Sequence, residues 1–180
     1  MQYDFDERKQ WSEGCAKNQS ISDILKANVP GFLSVKKATD NEDRHGTDWW
    51  VNLSNGQRLS IDVKAREMDW ALRGEDDLAL ETWSVVGEKV GWTLDEQKRT
   101  DYILWHWEET GRWCLVPFRM LCKIFREHHD KWVGRYKTDK QTTVRGERKW
   151  QSECVFVPRG VVWGAIYLKF GGKPCSVTKT

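Results

Sequence analysis

A chain of 180 residues and 21.2 kDa can bury one sizeable core but has no room for two comfortable domains. With 39% hydrophobic and 12% aromatic residues it is too rich in large apolar side chains for disorder, and no apolar run approaches the roughly 18 residues of a membrane span. A net charge of +2 neither demands nor excludes a polyanionic partner, so the distribution of charge has to decide.

The opening MQYDFDERKQ is acidic and polar where a secretory signal is basic and then apolar, so a cytoplasmic protein is expected. Cys15, Cys114, Cys122, Cys154 and Cys175 are odd in number and form no C-x-x-C pair. Reduced thiols fit better than a disulfide framework. Cys114, Cys122, His128 and His129 match no standard zinc spacing, and packing is the better reading.

The first segment reads as a helix that ends at Pro30-Gly31, with Asp4 and Glu7 in capping-box spacing and a patchy stripe of Trp11, Cys15, Ile21, Ile24 and Leu25. Phe32 to Val35 is a short apolar stretch before Lys36-Lys37, and Thr39 to Arg44 is a turn or a single helical turn capped by Thr39 or Asp40.

Residues 48–64, DWWVNLSNGQRLSIDVK, carry two alternating runs around Ser54-Asn55-Gly56, a hairpin signal. A two-residue Asn55-Gly56 turn would mix apolar and polar residues on each face. A three-residue loop with Gly56 in the left-handed bulge position sets Leu53 opposite Gln57 instead. Trp49, Val51 and Leu53 then share a face with Leu59, Ile61 and Val63, and burial selects this register. It places Asp48 across from Asp62, with Lys64 two residues along on the same side.

Leu78 to Val86 is expected as a third strand beside the hairpin, Leu94 to Thr100 as a polar helix or turn, and Asp101 to Trp107 as a central strand. Arg112 to Val116 reads as an adjacent strand, and Pro117 opens a helix to about His129. Cys154 to Val157 and Val161 to Phe170 look strand-like. The expected fold is α/β: one domain over residues 1–180, with a mixed central β-sheet flanked by helices.

Two carboxylates that meet across a strand pair repel unless something positive lies between them. Mg²⁺ is the usual answer, a hard cation held by one or two carboxylates and completed by waters and a substrate phosphate. A lysine beside it can hold or deprotonate water, or neutralise charge developing on the phosphate. Gly46-Thr47 before Asp48 allows close backbone approach to a substrate.

Gly46-Thr47-Asp48 followed by Ser60-Ile61-Asp62-Val63-Lys64, after a long N-terminal helix and before further strands, resembles the PD-(D/E)xK nuclease superfamily. The likeness is best over about residues 7–107 and includes small phage-encoded members and Holliday-junction resolvases. It implies a restriction-endonuclease-like αβββαβ core and Mg²⁺- or Mn²⁺-dependent hydrolysis of DNA phosphodiesters. By motif, Asp48 and Asp62 match the metal-binding acids and Lys64 the lysine. Thr47 stands where the motif has proline, and Glu7 and Glu13 are candidates for a first-helix acid.

Glu81 is a further candidate for a catalytic acid or water ligand, against a paired sheet carboxylate. Glu42 and Asp43 read as cap or solvent residues, and Glu75-Asp76-Asp77 as an exposed turn despite its cation-site density. Lys98 and Arg99 could hold phosphate or end a solvated turn. Residues 131–149 carry seven Lys/Arg against two acids, with Gly134 and Gly146 suiting a flap. Arg135, Lys137, Lys140, Arg145, Arg148 and Lys149 are candidates for DNA backbone contact, with Trp132 or Tyr136 as stacking partners. A homodimer would suit cleavage of two strands. A non-catalytic nucleic-acid-binding protein on a degenerate nuclease fold, or a phage structural or assembly protein, would use the same basic and aromatic residues.

Overall fold

The alternation in residues 32–66 folds as an antiparallel meander in the computed structural model, which describes residues 2–4, 6, 7, 10 and 19–171. The chain begins with β1 (Gln2–Asp4), α1 (Gln19–Asn28), β2 (Phe32–Lys37), α2 (Asp40–Arg44), β3 (Trp49–Leu53) and β4 (Arg58–Arg66). A 3-10 turn (Trp70–Arg73), β5 (Asp77–Val85), β6 (Lys89–Val90), β7 (Tyr102–Trp107) and β8 (Arg112–Pro117) follow. The remainder is α3 (Phe118–Arg135), β9 (Thr138–Arg145), β10 (Arg148–Pro158) and α4 (Arg159–Phe170). The class is α/β.

The strands form two mixed sheets where one central sheet was expected. One has the order β2-β3-β4-β7-β8, with β4 and β7 parallel; the other has the order β1-β9-β10-β5-β6. Leu78 to Val86 does form a strand, but β5 pairs with β10 and β6 and not with the hairpin. The hairpin's neighbour in its own sheet is instead β7, which pairs with β4 and is buried from Ile103 to Trp107 as a central strand should be. Between β4 and β7, where an αβββαβ order would put a helix, lie the 3-10 turn, β5, β6 and a series of turns.

One apolar cluster joins the two sheets. Leu78, Leu80, Val155 and Val157 of the second sheet pack with Ile103, Trp105 and Val116 of the first, beneath Leu121 and Phe125 of α3 and Val162 and Ile166 of α4. A second cluster fills the other side of the meander, where Ile21 and Leu25 of α1 cover Val51, Ile61, Val63 and Leu104.

Residues 161–170 are helical, contrary to the strand expected there. Val162 and Ile166, one turn apart, are the buried pair, and Pro158 just before the helix has a backbone φ of −52° suited to a helix start. The β-branched run had suggested a strand, but the core takes only one stripe of it. The basic 131–149 stretch is not a flap either: it is the last turn of α3 followed by the β9–β10 hairpin, with Gly146 at its turn at φ +57°. No described helix is long and apolar enough to cross a membrane. Asp4 accepts the Glu7 N–H at 3.0 Å, as a cap would, while Trp11, Glu13, Cys15 and Cys175 lie outside the described residues.

Candidate active site

The hairpin that carries the site has the register chosen by burial. Trp49 pairs with Ile61 and Val51 with Leu59, the Leu53 N–H donates to the Gln57 carbonyl, and Gly56 sits at φ +81°. Trp49–Ile61 is the last pair of this ladder, and Asp48 follows at its end, close enough to Asp62 for the two charges to act on each other. The Asp48 N–H donates to the Ile61 carbonyl at 2.9 Å, and its carboxylate Oδ2 accepts the Val63 N–H at 2.6 Å. The side chain thus takes the place of the next ladder rung, which fixes it beside Asp62.

Asp62 is 5% exposed, and its Oδ1 lies 2.7 Å from Lys64 Nζ, whose side chain keeps 27% exposure. Burial and then the neighbouring Asp62 charge push the Asp48 carboxyl up to about 7. Burial alone would lower the Lys64 ammonium, but Asp62, Asp48 and Glu81 outweigh it and hold it above its ordinary value. Lys64 is therefore a cation wedged among acids.

Glu81 arrives from the other sheet. In β5, Trp83 pairs with Glu153 and Glu81 with Cys154, so Thr82 is the extra residue of a β-bulge. The bulge puts Glu81 and Trp83 on opposite faces and re-aims Glu81. Its Oε2 accepts the Ser84 hydroxyl at 2.7 Å and the Trp92 N–H at 3.1 Å, and the Trp92 ring lies 5.4 Å from Lys64 Nζ. Trp92 and Ser84 went unnoticed in the sequence; Gly91 was the available signal, because a Cβ there would overlap the Glu81 carbonyl. The Asp62-x-Lys64 alternation also continues to Arg66, which acts on Asp77 and Cys154 across the gap between sheets.

The loop leading into Asp48 is braced rather than open. Thr39 and Glu42 complete a capping box on α2, and Glu42 also accepts the Trp50 indole N–H at 2.9 Å, so it belongs to the scaffold. Asp43 adds a small upward push on the Asp48 carboxyl. Lys98 Nζ donates to the Arg44 carbonyl at 3.1 Å and its stem packs over Gly46, while the Arg99 carbonyl accepts the Thr47 hydroxyl at 3.3 Å. Both candidates thus sit beside the approach to Asp48.

The other candidates are dispersed. Arg135 ends α3 over the Tyr136 ring, Lys137 lies over Phe156, and Lys140 faces Glu153 at 3.6 Å. Arg145 meets Asp6 at 3.3 Å, and Arg148 and Lys149 are exposed at the hairpin end. Asp76 of the acidic turn is held by Arg112 at 2.7 Å and Arg159 at 2.8 Å, so this turn is an ion-paired brace. His128 stacks on the buried Trp132, His129 packs edge-on to Phe125, and Cys114 and Cys122 are free thiols in the core.

The donor set at Asp48 and Asp62 suits a small hard cation. Both ligands are carboxylates, and burial plus mutual repulsion would be relieved by positive charge between them. Among the described residues no three His, Cys, Asp or Glu side chains form a ready-made metal cage. A pair is sufficient for Mg²⁺ or Mn²⁺, which keep several waters and bind substrate phosphate in the remaining positions. Comparison with protein-family models, with curated proteins and with solved structures returned no match.

Proposed function

We propose that the protein is a divalent-metal-dependent deoxyribonuclease that hydrolyses phosphodiester bonds at Asp48, Asp62 and Lys64, with Glu81 as a supporting acid. The single observation behind this reading is the convergence of two carboxylates and an ammonium on one sheet face, at 2.7 Å for Asp62 and Lys64. The order of α1, the β2-β3-β4 meander and the parallel strand β7 supports the restriction-endonuclease-like resemblance. The missing helix between β4 and β7 is a departure from it.

Mg²⁺ or Mn²⁺, held by Asp48 and Asp62, would supply Lewis-acid polarisation of the phosphate. The protein's own groups do the rest. The Val63 N–H fixes the Asp48 carboxylate, and Lys64 fixes Asp62. Lys64, facing the same side as Asp62, would serve as a cation toward the phosphate and a donor orienting water. Glu81, tied down by Ser84 and the backbone N–H of Trp92, adds a weaker charge that also favours the ammonium. Charge that develops on the phosphoryl oxygens is thus met by a preorganised ammonium in a half-buried setting.

Asp62→Ala should abolish Mg²⁺- or Mn²⁺-dependent, chelator-sensitive cleavage of plasmid or branched DNA while leaving folding and DNA binding largely intact. Lys64→Ala should cut turnover by about 10²-fold or more with a smaller effect on metal affinity. Unchanged cleavage by the Asp62 variant refutes the assignment.

A further inference from the structure

The β9–β10 hairpin sorts the basic residues onto two faces. Arg145 pairs directly with Arg148, Thr143 with Trp150 and Gln141 with Ser152, so these side chains share one face. Lys140 and Lys149 alternate with them and fall on the opposite face, where Lys140 meets Glu153. Past the β5 bulge the first face continues to Cys154, which lies between Asp139 and Glu81, and Lys137 joins it over Phe156. It is therefore continuous with the candidate active site, as the effect of Lys64, Arg66 and Glu81 on the Cys154 thiol also indicates.

Two guanidinium residues directly opposite each other in a ladder repel, an arrangement that weakens a hairpin unless anions meet it. Asp6 offsets one of them, at 3.3 Å from Arg145. From Cys154 to Arg148 is six residues, or about 20 Å of strand, which matches about six base steps of 3.4 Å.

We propose that the Arg145–Arg148–Trp150 face of this ribbon is the track for the substrate, double-stranded DNA, gripping its backbone about six base pairs from the cleaved phosphate, while the Lys140–Lys149 face takes no part. The location of the cleaved phosphate rests on the nuclease reading; the binding face does not.

The test is metal-free binding of the full-length protein to a labelled duplex by fluorescence anisotropy across a salt series, in parallel with plasmid cleavage in Mg²⁺. Arg145→Gln with Arg148→Gln should weaken duplex binding about tenfold and reduce the slope of log K against log salt by about two. Lys140→Gln with Lys149→Gln should leave the slope unchanged, and Arg145→Lys with Arg148→Lys should restore it. The duplex should bind more tightly than its separated strands. Equal losses from both glutamine pairs, stronger single-strand binding, or no duplex binding by the parent protein would each overturn the proposal. Cleavage without the face asymmetry rejects the track alone, and the asymmetry without cleavage rejects the nuclease reading alone.

Discussion

Asp48→Asn should make the metal-free protein more stable in alkaline buffer while abolishing the proposed metal-dependent cleavage. The substitution is nearly isosteric, and the amide oxygen can still accept the Val63 N–H that donates to Asp48 at 2.6 Å. The Asp62–Lys64 ion pair also survives, because neither partner changes. What disappears is a negative charge that burial and Asp62 both disfavour, having raised the carboxyl from 3.8 to about 7. A carboxyl raised in the folded state binds its proton more tightly there than in the unfolded chain. Stability therefore falls as pH rises from about 4 to about 7 and levels off above that. The full shift corresponds to about 4 kcal/mol, and to about 2 kcal/mol once solvent around the half-buried group is allowed for.

For a chain of this size that is a melting-temperature gain of about 4–8 °C near pH 8, shrinking to nothing near pH 4. Calorimetric melts of parent and variant in chelator across this range provide the measurement. Millimolar Mg²⁺ should raise the melting temperature of the parent and not that of the variant, because only the parent has both carboxylates to bind it. A variant less stable than its parent near pH 8 in chelator, or a gap that widens toward acid, would refute the electrostatic account of the pair.

Two other sites invite simple measurements. Arg112 donates two hydrogen bonds to the buried Asp69, at 2.7 and 2.8 Å, and holds that carboxyl at about 2. Arg112→Met should cost about 3–5 kcal/mol in urea melts near neutral pH, because a buried charge loses its partner. In the parent, the Asp69 contribution is fully present above about 4 and is lost as pH falls toward about 2, so the difference between the two proteins should narrow in acid. Gly91→Ala would drive a methyl group into the Glu81 carbonyl. It should lower both melting temperature and turnover, whereas Gly160→Ala, in a helix with open space around it, should lower neither.

The parts legible in the sequence were those where two local rules agree. Turn chemistry at Ser54-Asn55-Gly56 and the burial of Val51, Ile61 and Val63 both demand one register, so the meeting of Asp48 with Asp62 followed from residues 48–64 alone. The uninterrupted apolar β7 likewise announced a strand buried on both faces. Residues 161–170 misled because β-branched content and helical burial disagree, and tertiary packing decided for the helix. Glu81 lies in the second sheet and not beside the hairpin, yet its charge still acts on Lys64, with the Thr82 bulge and the close approach of Gly91 setting its position. The Asp69–Arg112 brace joins residues 43 positions apart and has no local signature at all.

The two acidic clusters of this molecule differ in a way that bears on what each is for. In the brace, Asp69 and Asp76 meet Arg112 and Arg159, two acids for two guanidiniums, and the fold balances its own charge. Around Lys64, three carboxylates, Asp48, Asp62 and Glu81, act on a single ammonium, leaving one negative charge over when Asp48 is protonated and two when it is ionised. A scaffold gains nothing from that excess, and the raised Asp48 carboxyl records its cost. A non-catalytic DNA-binding surface would be weakened by it, since the phosphates carry the same sign. A divalent cation held by Asp48 and Asp62, as proposed, would offset it and leave the Lys64 ammonium to face a phosphate. The charge imbalance, more than the identity of any one residue, favours a metal-dependent catalytic site over a passive one.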